Sequence, residues 1–352
     1  MTASVFDHPF LSGLLGDAEL SALFSAEADL RAMLAFEGAL AAAEAKAGLV
    51  SPEAARAIAK GIASFEPDWP KLKRGTARDG VVVPELVRQL RSVVGPAAEK
   101  QVHFGATSQD VIDTSLALRM REALPLLEKR FHRLLAKLEA LLARDGKIET
   151  MAHTRMQAAI AVPAERKIES WRQPLLRNRE RLATVRDGFL ILHFGGAAGT
   201  LDKLGSKGRA VSEAMAEALD LAAVSHPRHS ERDGVVALAD WLSLVTGGLG
   251  KMGADIALMA QSEVGEIRIK SGGGSSAMPH KVNPVGAEIL VTLARFNATL
   301  VSGMHQSLVH ENERSGAAWT LEWMLLPQMA VAAGAALRTA AELVGNIAFV
   351  SK

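Results

Sequence analysis

Apolar residues recur at every third or fourth position along most of the chain, which is the spacing of one face of an α-helix. The longest such run extends from Gln109 to Ala143 and predicts a single long amphipathic helix. Just before it, Thr107 and Asp110 stand three residues apart, the spacing at which a hydroxyl and an acid cap a helix N-terminus together. The helix is therefore expected to begin beside Thr107.

Helical spacing returns in four later stretches of the chain, and strand-like alternation is rare. These stretches are residues 157–185, 231–266, 284–308 and 317–345. Pro163 and Pro174 are expected to bend the first of them. Alternation of the kind found in strands is limited to the short segments 80–83 and 189–194. Helices therefore account for nearly all of the predicted secondary structure.

The predicted helices differ in length between the two parts of the chain. Before about Gly105 they are short and broken by glycine and proline, whereas the later ones are long and apolar over much of their circumference. We predict an all-α fold, with an N-terminal helical domain over residues 1–105 and a central long-helix bundle over residues 106–352. Helices with so much apolar surface need more partners than one chain supplies, which predicts an oligomer.

The composition narrows the class of protein. The chain has 352 residues, with 40 lysines and arginines against 39 aspartates and glutamates, so its formal net charge is +1. This balance gives no reason to expect nucleic acid as a partner. The absence of cysteine excludes disulfides, zinc–thiolate and iron–sulfur sites, and a cysteine nucleophile.

The most apolar stretches are not expected to cross a membrane. Residues 235–260 and 323–350 are interrupted by charged side chains, and their uninterrupted apolar runs are too short to span a bilayer. Residues 1–15 lack a basic segment followed by a long apolar one, so they do not resemble a signal peptide. We therefore expect a cytoplasmic protein with buried helices.

A glycine- and serine-rich segment, residues 271–284, separates two of the predicted long helices. Composition alone favours a flexible, solvated linker. However, Pro279 and Pro284 stiffen its second half, where Lys281 and Asn283 supply hydrogen-bond donors. A lid that orders over a ligand is therefore the better-supported interpretation.

Three segments resemble a known superfamily. Residues 274–284, GSSAMPHKVNP, resemble the signature loop of the fumarase/aspartase superfamily, and residues 102–114 and 151–157 resemble its first and second shared regions. The resemblance implies a homotetramer whose long helices form a common central bundle, with each active site assembled from three subunits. Many members add a small C-terminal domain, of which little can remain after Lys352, so we expect a fold in which that domain is truncated.

Two further segments indicate one group within the superfamily. Residues 310–323 and 79–84 resemble the corresponding stretches of the bacterial 3-carboxy-cis,cis-muconate lactonizing enzymes, which are cycloisomerases. The resemblance implies lactonisation of 3-carboxy-cis,cis-muconate to 4-carboxymuconolactone in protocatechuate degradation, the β-ketoadipate pathway, without a cofactor or a metal. The partner it implies is a small polycarboxylate substrate.

Two other functions remain open. Adenylosuccinate lyase, which releases fumarate, has a similar signature loop, but it normally carries histidines at the positions of Asp79 and Arg155. A non-catalytic helical scaffold would retain the fold alone, and it has no need of Lys281 in a glycine-rich loop. The resemblance therefore favours the cycloisomerase over both.

The expected reaction sets clear requirements for the site. The enzyme must surround three carboxylates with positive potential, stabilise the aci-carboxylate that forms, and place a proton donor. Thr107 and Ser108, at the N-terminus of the longest helix, are candidates to bind a carboxylate there. Their alternative role is simply to cap the helix.

The resemblance assigns chemical roles to the signature loop. Ser275 matches the loop serine that acts as the carbon base in the lyases, so in lactonisation it would be the carbon acid. That role requires strong electrostatic help, because an isolated serine hydroxyl is a very weak acid. Lys281 and Asn283 match residues that hold the reacting carboxylate, and Lys281 would stabilise the added negative charge.

The remaining candidates come from the second shared region and from the segment near the end of the chain. Arg155 stands where the lyases carry a histidine that donates to the leaving group, and an arginine there could bind a carboxylate through two parallel hydrogen bonds. His153 is expected either to act as an acid/base catalyst or to cap a helix, with Gln157 one helical turn later and facing the same pocket. Arg314 is a candidate to bind the third carboxylate, its alternative being a surface ion pair with a neighbouring glutamate.

Overall fold

The computed structural model describes residues 4–270, 272–274, 278 and 281–351, and most of these residues are helical. The helices are α1 (Ser12–Leu15), α2 (Ala18–Leu23), α3 (Ala26–Lys46), α4 (Pro52–Ala63), α5 (Trp69–Asp79), α6 (Val83–Val94), α7 (Ser108–Asp145), α8 (Ala164–Phe189), α9 (Gly208–Leu219), α10 (Asp233–Met259), α11 (Val285–Gln306) and α12 (Gly316–Asn346). The strands are β1 (Glu149–Thr154), β2 (Gln157–Pro163), β3 (Ile267–Ile269) and β4 (Ile347–Phe349). They form two small antiparallel pairs, β1 with β2 and β3 with β4, so the predicted all-α class is confirmed.

Helix α7 begins where the sequence predicts. The backbone N–H of Thr107 donates to Oδ2 of Asp110 at 2.9 Å, and the two residues form a capping box. The helix has 38 residues, so at roughly 1.5 Å per residue it is about 57 Å long. Regions attached to its opposite ends are therefore far apart within one chain.

Helices α8, α10, α11 and α12 pack with α7 to form the predicted bundle of long helices. Helix α10 lies against both α11 and α12 and approaches α11 closely through glycine. A Cβ atom at Gly253 would lie 2.5 Å from the carbonyl oxygen of Ala287, so only glycine fits there. Helix α12 contributes fully buried small residues, among them Ala332, Ala333 and Ala336. Small side chains thus let the helix backbones lie close together.

The N-terminal helices are joined to the bundle by a continuous hydrophobic core. Helix α3 packs against α7, and Phe36 of α3 meets Phe194 edge to face, with 6.1 Å between the ring centroids. The expected domain boundary at residue 105 falls in the connection between α6 and α7 and stays a prediction.

The C-terminal end of α7 is fixed to the last strand of the structure. The backbone N–H of Phe349 donates to Oδ2 of Asp145 at 2.9 Å, and Nη2 of Arg144 donates to the carbonyl of Ile347 at 2.8 Å. The β1–β2 hairpin follows α7 directly, and β3, which pairs with β4, leads into residues 271–284. The hairpin and the described part of the glycine-rich segment therefore both lie at the C-terminal end of α7.

The prediction of a helix from residue 157 was wrong. Strands β1 and β2 form a hairpin there, with Thr154 opposite Gln157. The two residues between them, Arg155 and Met156, have φ angles of +48° and +67°, as a type I′ turn requires. Helix α8 starts directly after Pro163, whose fixed φ suits the beginning of a helix.

The strand-like alternation at residues 80–83 and 189–194 does not correspond to strands in the structure. Gly80 ends α5 with a φ of +74°, and Val83 is already the first residue of α6. In the second segment Ile191 makes an isolated bridge to Ala222, and no strand extends from it. Alternation over so few residues also arises in buried connections between helices, so it carried little information.

The sequence argument against membrane spans was too strong. By length and composition alone, α10, α11 and α12 could each cross a bilayer. Helices α10 and α12 bury 61% of their most apolar window inside the molecule, whereas α11 buries 22% of its own. Burial in the bundle therefore accounts for the apolar character of α10 and α12. It does not account for the apolar character of α11, most of whose apolar window is not buried within this chain.

Two glutamates on α3 are almost completely buried. Oε1 of Glu37 lies 2.6 Å from Nδ1 of His103. Burial lowers the pKa of this histidine, but the charge and hydrogen bond of Glu37, together with the charge of Asp110, outweigh burial and raise the pKa. Glu44 has no hydrogen-bond partner for either carboxylate oxygen within the described part of the chain. Burial, and after it the charge of Glu37, raise the pKa of Glu44 to about 8.

We expect Glu44→Gln to make the protein more stable at alkaline pH. The carboxyl has a pKa of about 8 when folded against 4.5 as its ordinary value, so the folded state holds a proton that the unfolded chain releases. Stability should therefore fall as the pH rises from about 4.5 to 8, by up to about 1.4 kcal/mol per pH unit. The glutamine variant should lose this part of the dependence in thermal denaturation across that range. Glu213→Gln, on the exposed side of α9, is the control, and equal slopes for wild type and Glu44→Gln would contradict the prediction.

Candidate active site

The residues predicted to bind or convert the substrate lie in three places. They are Thr107, Ser108 and Arg314 at the N-terminal end of α7, His153, Arg155 and Gln157 on the β1–β2 hairpin, and Lys281 and Asn283 in the segment before α11. The ninth predicted residue, Ser275, lies outside the described residues. We call these places the helix-end group, the hairpin group and the loop group.

Arg314 belongs to the helix-end group through its contact with Gln109. Its Nε donates to Oε1 of Gln109 at 2.8 Å, and its Nη2 lies 3.3 Å from the carbonyl oxygen of Ala197. The alternative expectation, a surface ion pair with a neighbouring glutamate, is not what this side chain forms. Arg314 is therefore held beside Thr107 and Ser108, the residues predicted to bind a carboxylate.

Asp110, in the first turn of α7, fixes the loop that faces Arg314. Its Oδ1 accepts from the backbone N–H of Gly195 at 2.8 Å and lies 2.7 Å from Nε2 of His229. Its Oδ2 accepts from the backbone N–H groups of Thr107 and Gly196 at 2.9 and 3.0 Å. Because a carboxylate can accept at both oxygens, one buried side chain ties together the helix start, the glycine loop and His229.

Asp113, one turn further along α7, is the centre of a buried ion-pair network. Arg232 donates to both of its oxygens, at 2.7 and 3.3 Å, and the indole N–H of Trp319 donates at 2.9 Å. Burial alone would raise the pKa of Asp113, but the charges of Arg232 and His193, together with the hydrogen bonds from Arg232 and Trp319, outweigh burial and lower the pKa to about 2. Arg232 also donates to Glu322, at 2.8 and 2.5 Å, so it bridges two buried carboxylates.

Two histidines border this network. Nδ1 of His193 lies 4.0 Å from Asp113, and burial lowers the pKa of His193 to about 4, so its ring is neutral at physiological pH. Nε2 of His310 lies 3.6 Å from Glu322. Neither Nδ1 of His193 nor either ring nitrogen of His310 has a hydrogen-bond partner within the described residues.

The hairpin group is exposed, and one of its three residues borders a cavity of about 570 Å³. His153 lines this cavity, and its Nδ1 lies 3.1 Å from the carbonyl oxygen of Met151. A carbonyl can only accept, so Nδ1 carries the proton and Nε2 is left as an acceptor in the neutral ring. Arg166 and Lys167 line the same cavity, and Lys167 also donates to Glu266 at 3.0 Å.

The expected alignment of His153 with Gln157 was wrong, because no helix joins them. Across the hairpin, His153 is opposite Ala158 and Thr154 is opposite Gln157. Directly opposed residues have their side chains on the same face of a sheet, and successive residues have them on opposite faces. Gln157 therefore shares a face with Thr154, not with His153.

The base of the loop group is a narrow backbone bridge. Gly273 and Asn283 exchange both backbone hydrogen bonds, at 3.1 and 2.9 Å. A Cβ atom at Gly272 would lie 2.7 Å from the carbonyl oxygen of Asn283, so the close approach needs glycine. Asn283 lines a cavity of about 300 Å³ against α12, and Lys281 is exposed. The described part of the segment is thus ordered at its base, and its role as a lid stays a prediction.

Among the residues that the structure describes, the three groups do not surround one cavity of this chain. The helix-end group lies at the N-terminal end of α7, whereas the hairpin and loop groups lie at its C-terminal end. The length of α7, about 57 Å, is several times that of any small polycarboxylate. A substrate bound by Arg314 therefore cannot touch His153 of the same chain.

Sequence reasoning missed the buried residues that hold the helix-end group. They are Gln109, Asp110, Asp113, His193, His229, Arg232, Trp319 and Glu322. One signal was available, because Gln109, Asp110 and Asp113 place polar side chains close together on a helix that is otherwise rich in apolar residues. Their partners from other elements stand 80 or more positions away along the chain, where no local pattern indicates them.

A long-helix bundle with these polar groups at its two ends defines a lyase of the fumarase/aspartase fold. A family model with the description Lyase matches residues 17–299, and the chain belongs to that family.

The chain is also similar to particular proteins over nearly its whole length. The chain is 38% identical to the 3-carboxy-cis,cis-muconate cycloisomerase of Pseudomonas aeruginosa, in an alignment that covers 97% of this chain and 75% of that protein. The crystal structure of the 3-carboxy-cis,cis-muconate lactonizing enzyme from Pseudomonas putida matches with a TM-score of 0.91 at 37% identity, covering 97% of this chain and 77% of that one. A fumarate lyase from a Mesorhizobium species matches with a TM-score of 0.89 at 31% identity, covering 95% and 76%.

We expect Arg232→Met to destabilise the protein strongly. The variant leaves Asp113 and Glu322 buried without their shared cation, and breaking a buried pair in this way costs roughly 3–5 kcal/mol. Thermal denaturation measures the effect. Arg209→Met, which removes an exposed ion pair with Glu213, is the matched control and should change the melting temperature little. Equal effects of the two substitutions would contradict the importance of the buried network.

Proposed function

We propose that the chain is a cofactor-independent cycloisomerase that lactonizes 3-carboxy-cis,cis-muconate to 4-carboxymuconolactone. The observation that carries the proposal is the presence of one accessible cation in each group: Arg314, Arg155 and Lys281. Within the described part of the chain none of these three side chains forms an ion pair. Three cations without an ion-pair partner among the described residues suit a substrate with three carboxylates, and the similarity to muconate cycloisomerases favours 3-carboxy-cis,cis-muconate as that substrate.

The active unit in this proposal is a homotetramer with shared active sites. The separation along α7 supports it, since the helix-end group of one copy can meet the other two groups only on other copies. Symmetric packing of antiparallel copies would bring opposite ends of α7 together. The same packing would cover the apolar face of α11 and the exposed hairpin, neither of which is covered within one chain.

The chemistry begins with the binding of the carboxylates. Arg155 and Arg314 would each hold one carboxylate, with the backbone N–H groups around Thr107 and Ser108 assisting Arg314. The remaining reaction is internal to the substrate: one carboxylate oxygen adds to a double bond, forming the C–O bond of the lactone. The electron pair of that double bond moves to the carbon beside another carboxylate, and no external group leaves.

The charge that develops must be stabilised before the new carbanion is protonated. Lys281 and Asn283 would bind the carboxylate that becomes an aci-carboxylate, where the lysine opposes its second negative charge. Ser275 would then give its proton to the carbon, and the proton lost from the serine is restored from solvent. His153, whose Nε2 is left as an acceptor in the neutral ring, would serve as an acid/base partner for this exchange.

A fumarate-releasing lyase is the second candidate function. The match to a fumarate lyase at 31% identity favours it. Arg155 opposes it, because a guanidinium is a poor proton donor to a leaving group, whereas it binds a carboxylate well. In the favoured proposal the reaction belongs to protocatechuate degradation, the β-ketoadipate pathway, in the cytoplasm.

Adding the purified protein to 3-carboxy-cis,cis-muconate should cause loss of the ultraviolet absorbance of the conjugated diene. We expect Ser275→Ala and Lys281→Met to lower kcat by at least about a hundredfold, because each removes a group that acts on the reacting carbon or its charge. Lys60→Met, on the exposed side of α4, is the matched lysine control and should retain full activity. Fumarate release from adenylosuccinate, without conversion of the muconate, would favour the second candidate instead.

Mixing two impaired variants tests the shared site. Arg314→Ala lacks the helix-end cation and Lys281→Met lacks the loop cation, so hybrid tetramers should contain sites with both cations intact. At substrate concentrations too low for either variant alone, unfolding and refolding the mixture should restore up to about a quarter of wild-type activity, as random assembly of subunits requires. Each variant refolded by itself is the control. Failure of the mixture to recover activity would mean that each site is built from one chain.

A further inference from the structure

Gln109 uses every polar atom of its side chain within the helix-end group. Its Nε2 donates to Oδ2 of Asp113 at 3.1 Å and to the carbonyl oxygen of His229 at 2.8 Å. Its Oε1 accepts from Nε of Arg314 at 2.8 Å. The opposite amide orientation would turn its oxygen toward two acceptors and its NH₂ toward a guanidinium, so only one orientation is compatible with these partners.

The partners of Gln109 are themselves rigidly held. Asp113 is fixed by Arg232 and Trp319, and Arg232 is fixed in turn by Glu322 on α12. A chain of buried hydrogen bonds therefore runs from α12 through α7 and ends at Arg314. Each link restricts the next, because a buried polar group that loses its partner keeps the full cost of its desolvation.

Burial separates the role of Gln109 from that of Arg314. Gln109 is 0% exposed and so cannot touch a ligand, whereas Arg314 is partly exposed. With Nε committed to Gln109, the guanidinium presents its two terminal nitrogens, and Nη2 has only the 3.3 and 3.5 Å contacts to the carbonyl oxygens of Ala197 and Gly196. The terminal nitrogens can therefore form the two parallel hydrogen bonds that a carboxylate accepts.

We propose that Gln109 is a positioning residue that holds Arg314 for end-on binding of a substrate carboxylate. The proposal rests on the proposed function, in which Arg314 binds one of the three carboxylates. Gln109 acts on affinity and not on the reacting carbon, since it lies behind Arg314 and away from the solvent. Its loss should therefore raise KM and leave kcat nearly unchanged.

A double-mutant cycle tests this dependence. Gln109→Met keeps the volume of the side chain but removes its hydrogen bonds, and it should raise KM about tenfold with kcat within about threefold of wild type. Arg314→Ala should raise KM about a hundredfold. The double variant should have the KM of Arg314→Ala, because Gln109 has nothing left to position. Thr246→Val, which removes a buried hydroxyl bonded within α10, is the structural control and should leave KM unchanged.

The proposal would be overturned if the two increases in KM multiplied in the double variant. A fall in kcat at constant KM in Gln109→Met would overturn it as well. Binding of tricarballylate, an unreactive tricarboxylate, can be measured by calorimetry. This measurement distinguishes a failure of the positioning role from a failure of the proposed function. If the wild type does not convert the muconate but Gln109→Met weakens tricarballylate binding only when Arg314 is present, the positioning role stands and the reaction assignment fails. If Gln109→Met leaves tricarballylate binding unchanged, or the wild type does not bind it, the positioning role is rejected.

Discussion

The length of one helix is the constraint on which the rest of this molecule depends. Helix α7 runs unbroken for 38 residues, so the polar groups at its two ends stand about 57 Å apart. Any chemistry that needs both ends must therefore draw them from different copies of the chain. The apolar face of α11 and the exposed β1–β2 hairpin are surfaces left by that division, since neither is covered within one chain.

The two ends of α7 are built in opposite ways. At the N-terminal end, Asp110 and Asp113 are buried charges, and burying a charge is favourable only when partners replace its water. Arg232 and the backbone of the glycine loop supply those partners, so the buried network at this end is already complete within one chain. At the C-terminal end, Arg155 and Lys281 are exposed. One end of α7 thus carries an ordered, buried network, whereas the other carries exposed cations.

The parts of the fold that follow local rules could be predicted from the sequence. The apolar spacing predicted α7, and Thr107 with Asp110 predicted where it begins, because a capping box is made by residues three positions apart. The hairpin could not be predicted, because its turn places Arg155 and Met156 at positive φ without the glycine or asparagine that usually indicates it. The buried network was missed for another reason: its members are joined only by the tertiary fold.

Electrostatics explains why the two kinds of end suit each other. A helix N-terminus alone stabilises a carboxylate by only about 0.3–1 kcal/mol, and Asp110 already uses part of that potential. In the proposed site a full charge is therefore needed beside Thr107, and Arg314 would supply it on a rigid support. The exposed cations Arg155 and Lys281 are screened by solvent over a distance of about 10 Å. Covering them with the dry end of another copy would exclude that solvent, so their attraction for a carboxylate would strengthen at the point where the site becomes complete.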